Sequence, residues 1–97
     1  MLIKAGVDIS RLNREIRRAL PMIENVYNHC GCELVITSTY EGNHGAGSLH
    51  YCDDALDTRK PVERLQEIAR EIKERLGRDY DIVQEEDHLH YEYDPKK

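Results

Sequence analysis

Long apolar runs are missing from this 97-residue sequence. None approaches the roughly 20 residues that span a bilayer, so a helical membrane span is excluded. The opening stretch MLIKAGVDIS lacks the extended apolar core of a secretory signal, and synthesis and residence in a cytoplasm is the expectation. A basic block is missing too. The 14 Lys and Arg residues are interleaved with 19 Asp and Glu, for a formal net charge of -5, which argues against a nucleic-acid or anionic-membrane surface. No nucleic-acid and no membrane partner is expected. Cysteine is scarce, with 3 in the chain. Cys30-Gly31-Cys32 has no second pair at zinc-finger spacing, which argues against a structural cysteine–zinc site. Free thiols in a reducing compartment are the expectation, a redox role for Cys30 and Cys32 the alternative, and Cys52 is assigned no role. Repeats, low-complexity tracts and linkers are absent as well. The reading is a single domain spanning 1–97, a monomer, with a core small enough for a bound metal to matter for folding as well as chemistry.

What is present is a mixture of helical and strand patterns. Leu12, Ile16, Leu20, Ile23 and Val26 fall near helical spacing after the N-cap candidates Asp8 and Ser10. Pro21 interrupts them and predicts either a kinked helix or two short ones. GCELVITSTY reads as a buried strand, and EGNHGAGS, Glu41 to Ser48, as a loop. A short strand is expected around Ala55 to Asp57. Pro61 and Glu63 suit the first turn of a helix carrying Val62, Leu65, Ile68, Ala69, Ile72 and Leu76, which Gly77 stops. YDIVQ and HLHYEY close the chain as two strands, a hairpin turning at Glu85-Glu86-Asp87. Helices and strands mix without strict alternation, so the expected class is α+β, a small antiparallel sheet packed against helices.

Histidines and carboxylates fall in two clusters, and His29 alone lies apart as a structural or solvated residue. In DHLHYEY, strand alternation puts His88 and His90 on one face with Leu89 opposed. Zinc takes neutral imidazole nitrogens and carboxylate oxygens, and a catalytic zinc keeps three protein ligands and an open position. His50, Asp57 and one histidine of the closing strand make such a set, with further carboxylates nearby for proton transfer. The bland alternative, a polar glycine-rich loop beside a solvated edge strand, explains neither the concentration of histidine nor the apolar strands flanking both clusters.

Ser48-Leu49-His50-Tyr51, followed by Ala55 and Asp57 and then by Asp87-His88-Leu89-His90, resembles the zinc D,D-peptidases of the M15 type, which share a fold with the signalling domain of hedgehog proteins. The resemblance runs from about Val35 to Tyr93 and implies a hedgehog/DD-peptidase-like fold. It implies His50, Asp57 and His90 as zinc ligands, Asp87 as general base and His88 as a second catalytic residue. It also places His44 and Ser48 on the substrate side. Glu85, three residues before His88, is the competing base. Two positions depart from the family pattern. Asp53 stands where the family has glycine, adding a side chain and a charge near the metal. The family's upstream arginine is absent from TSTYEGNH, where Glu41 sits, and Arg59 is the substitute at hand.

The function so implied is a zinc metallopeptidase that hydrolyses a peptide bond of bacterial peptidoglycan. It would act as a D-Ala-D-Ala carboxypeptidase or as an endolysin-type endopeptidase of phage lysis, reaching the cell wall once released. The alternative is a non-catalytic zinc-binding module whose groove takes a peptide or protein partner. A non-haem iron oxygenase uses the same ligand types but not the His50/Asp57 spacing.

Overall fold

The computed structural model describes residues 1–39 and 54–95. Seven elements follow in order: β1 (Leu2–Ile3), α1 (Arg14–His29), β2 (Val35–Ser38), β3 (Ala55–Arg59), α2 (Leu65–Leu76), β4 (Tyr80–Gln84) and β5 (His88–Tyr93). The strands form one sheet in the order β1-β2-β3-β5-β4. The α+β class therefore holds. The expected antiparallel sheet is corrected to a mixed one, because β1 runs parallel to β2, with Leu2 opposite Val35. The other three pairings are antiparallel. Parallel neighbours need a long crossover, and α1 supplies it. β3 and β4 flank β5 and so run the same way, with α2 between them in the chain.

Helix α1 is one continuous helix with Pro21 inside it. Pro21 is exposed, while Ile16, Leu20, Ile23, Val26 and Tyr27 face the interior. The proline ring thus meets solvent, and burial of the opposite face offsets the roughly 3 kcal/mol an internal proline costs. Neither Asp8 nor Ser10 caps this helix. Asn13 occupies the capping position, its side chain donating to Asp54 at 2.7 Å in place of a capping bond, and Asp8 instead accepts the Ser10 amide at 2.8 Å in a local turn.

Helix α2 also starts later than its sequence suggests. Arg64 takes a left-handed backbone, φ 60°, ψ 30°, which no helix can include. Pro61, Val62 and Glu63 therefore precede the helix instead of forming its first turn, and Pro61 is buried. Gly77, at φ 82°, ends α2 as expected. The hairpin between β4 and β5 turns at Glu85 to Asp87, closed by the Glu85 amide donating to the His88 carbonyl at 2.9 Å.

Both helices lie on one face of the sheet. Ile16, Ile23, Val26 and Tyr27 from α1 and Ile68 and Ile72 from α2 meet Ile36, Leu56, Leu89 and Tyr91 there. At about 25 cal/mol per Å² of apolar area, that shared burial is the main stabilising term. Cys30 and Cys32 join this core as free thiols, and burial pushes the Cys30 thiol up, away from the reactive thiolate. Strand alternation sends Asp57 and Arg59 of β3 and His88, His90 and Glu92 of β5 to the opposite face. No helix among the described residues is long and apolar enough to cross a membrane.

Candidate metal centre

The register of β3 on β5 sets the centre of the open face. Asp57 lies directly opposite His90, and Arg59 opposite His88. Direct cross-strand neighbours have side chains close enough to touch, and the Asp57 Oδ1 and His90 Nδ1 atoms are 2.7 Å apart. Asp57 is 7% exposed, so this carboxylate has little water to compensate its charge and depends on its partners. Its second oxygen, Oδ2, stands 3.7 Å from His88 Nε2. Two imidazoles thus flank one buried carboxylate.

Each imidazole is held from its far side by another carboxylate. His90 Nε2 is 2.6 Å from Glu92 Oε1, and His88 Nδ1 is 2.7 Å from Asp87 Oδ1. The two clasps differ in setting. Asp87 has a side chain 89% exposed, whereas Glu92 is half-buried. For His90, burial lowers the pKa, but the hydrogen bonds and charges of Asp57 and Glu92 outweigh it and raise the value from 6.5 to about 8. The hydrogen bond from His88 holds the Asp87 carboxyl below its ordinary value.

The neighbouring strand shapes the approach. Ile36 pairs with Thr58 and Ser38 with Asp57, so β2 carries an irregularity at Thr37 next to the buried carboxylate. Such bulges re-aim side chains and are common beside functional sites. A cleft of about 530 Å³ opens here, lined by Lys4, Thr37, Asp57, Arg59, Asp87 and His88. It is the size of a small-ligand site. Lys4 and Arg59 bring positive charge, and no ion pair of either side chain occurs among the described residues.

Asp57, Asp87, His88 and His90 are thus brought together on one face. Glu85 is not among the residues lining the cleft. His44, Ser48, His50, Glu41 and Asp53 lie outside the described residues. Among those that are described, no group of three or more His, Cys, Asp or Glu side chains is arranged to hold a metal. The donor chemistry nevertheless suits zinc. Two donors on a tetrahedral zinc stand roughly 3.3 Å apart, so the 2.7 Å Asp57–His90 pair needs only a small opening to present an oxygen and a nitrogen to one ion.

Sequence reasoning missed Glu92, Lys4 and Thr37. Glu92 was within reach, because the alternation that pairs His88 with His90 extends to it. Lys4 was not, since only the parallel pairing of β1 with β2 carries it to the cleft. Comparison with protein-family models, with curated proteins and with solved structures gives no match for this chain.

Proposed function

We propose that the protein is a zinc-dependent peptidase acting on a short peptide of bacterial peptidoglycan, with Asp57, His90 and His50 as the metal ligands. The observation that carries this reading is the buried Asp57 carboxylate set directly against His90 across the β3–β5 ladder, with His88 on its other oxygen. The motif resemblance names the same two residues as ligands. When bound, zinc supplies a nucleophilic water at neutral pH and polarises the scissile carbonyl.

The chain's own residues supply the rest. Asp87, at the cleft, accepts the proton of the attacking water and returns it to the leaving amine. His88, held by Asp87, donates a hydrogen bond to the developing oxyanion. Arg59 and Lys4 stand on the cleft wall, where they can grip a substrate carboxylate, with Arg59 in place of the family's upstream arginine. Two cations at the wall favour a substrate ending in a free carboxylate, which is the carboxypeptidase arm of the reading. His44 and Ser48 keep the substrate-side roles that the motif assigns to them.

Incubating the purified chain with defined muropeptides and weighing the products by mass spectrometry tests this. Loss of a terminal residue in the parent, with strong loss of rate in Asp87→Asn, is the expected result. A cleavage rate unchanged in Asp87→Asn means that Asp87 is not the base.

One observation favours a second reading, a zinc-binding module without turnover. The Asp87 carboxyl is held low by His88 and is largely solvent-exposed, a setting poorly matched to a general base working near neutral pH. A parent that binds zinc but cleaves no muropeptide selects this reading.

A further inference from the structure

His90 has a carboxylate on each ring nitrogen, and a metal ligand can use only one of them. The buried Asp57 stands at Nδ1 at 2.7 Å. Glu92 stands at Nε2 at 2.6 Å. A neutral imidazole carries one proton, and the nitrogen without it offers the lone pair. Asp57 is the residue that would share an ion with His90, so the proton belongs on the opposite nitrogen, where Glu92 receives it.

Glu92 is well placed for this. It lies two residues beyond His90 on the same strand, so alternation sends both side chains to the same face. Its neighbour across β4 is Asp81, and across β3 it is Ala55, which leaves no cation opposite it in either ladder. His88 has the equivalent arrangement with Asp87, but Asp87 is 89% exposed. Water competes with that bond far more than with the one at His90.

Resting on the zinc reading above, we propose that Glu92 is a positioning residue. It holds His90 as the Nε2–H tautomer with its ring fixed, so that Nδ1 is the nitrogen offered to the metal beside Asp57. A carboxylate behind a histidine ligand sets its tautomer and orientation and raises its basicity, and its loss typically weakens metal binding by about 10–100-fold.

The test uses the full chain with zinc as the only addition, in the parent, Glu92→Gln and Glu92→Val. Zinc affinity is measured by competition with a chromophoric chelator. The protonation of each His90 nitrogen is read by long-range proton–nitrogen NMR on the zinc-loaded protein. The parent is expected to bind zinc with His90 protonated at Nε2. Glu92→Val is expected to bind about 10–100-fold more weakly and to lose the single tautomer. Glu92→Gln keeps an acceptor of the same shape and is expected to keep the tautomer with a smaller loss of affinity. It also keeps the test decisive if Glu92→Val does not fold. Equal affinity in the parent and both variants, or a proton on Nδ1 in the zinc-loaded parent, overturns the role of Glu92 while leaving the zinc reading intact. A parent that takes up no zinc overturns both.

Discussion

The two faces of β3 and β5 are built from alternate residues of the same short segments, yet they solve opposite problems. On the helix side, Leu56, Leu89 and Tyr91 are fully buried, and Thr58 is the polar residue among them. Its hydroxyl lies 2.9 Å from the Tyr91 hydroxyl and 3.3 Å from that of Tyr27, which donates to the Arg59 carbonyl at 3.0 Å. This is a neutral chain of hydroxyls in which every buried group has a partner. Burial also pushes the Tyr27 and Tyr91 phenols up, so both stay protonated. On the open side, one residue along in each strand, Asp57, His88, His90 and Glu92 form a cluster of carboxylates and imidazoles. The helix side stabilises the fold. The open side holds the Asp57 carboxylate in a poorly solvated place, the kind of setting in which functional groups cluster.

Substitutions separate these two roles. Asp57→Asn has the largest expected effect, complete loss of zinc retention after dialysis. The amide still accepts a hydrogen bond from His90, so urea unfolding of the metal-free protein shifts by no more than about 1.5 kcal/mol. A zinc-replete Asp57→Asn variant would remove Asp57 from the ligand set. Leu89→Ala does the reverse. It is expected to cost about 2–5 kcal/mol in urea unfolding, with unchanged zinc stoichiometry in the folded fraction; a stoichiometry that falls with it would show that the faces are not separable. Thr58→Val removes the hydroxyl that bonds Tyr91, while Tyr27 keeps the Arg59 carbonyl, and is expected to cost about 1–3 kcal/mol, which differential scanning calorimetry can check.

The part of the metal-free protein's pH dependence that His90→Gln removes probes the open side. The folded His90 pKa of about 8 lies above its ordinary 6.5. Its contribution is therefore fully present below about pH 6.5 and is lost as pH rises through about 8. The facing groups are Asp57 from β3, Val83 from β4, and His88 and Glu92 from β5 itself. The contribution is at most on the order of 2 kcal/mol. It appears as the difference in unfolding free energy between parent and His90→Gln at pH 6, shrinking by pH 9; a constant difference across that range refutes it. The smallest effect belongs to neither face. Arg75→Ala removes an exposed pair with Glu71 on α2 and is expected to cost under about 0.5 kcal/mol, within error of the parent in the same urea series.

Much of this was legible in the residues, for identifiable reasons. Period-2 alternation placed His88 and His90 together and Leu89 against the core, and the hairpin at Glu85 to Asp87 followed from its polar run between two β-rich segments. The helix starts were less legible. The left-handed Arg64 that delays α2 is a backbone conformation with no glycine or asparagine to announce it. The parallel pairing of β1 was hidden for a different reason. Two exposed residues, Leu2 and Ile3, carry no readable periodicity, and their partner lies beyond an entire helix. Lys4 reaches the cleft only through that pairing, so long-range register decided its place and local pattern could not. The Asp57–His90 juxtaposition spans 33 positions in the chain, and the paired motif suggested it before any register was known.

The position of β5 has a consequence for how the chain comes to be folded. The last of the described strands is inserted between β3 and β4. During synthesis, β3 emerges with β2 on one side and a bare edge on the other, and β4 emerges with no strand beside it, until His88 to Tyr93 leaves the ribosome. Unpaired edges invite association with other chains, and until then the carboxylate of Asp57 lacks the His90 imidazole. Closing the sheet and assembling the Asp57–His90 pair are therefore a single late event. A nascent chain stalled before β5 would be prone to aggregate and, at the same moment, lack the pair.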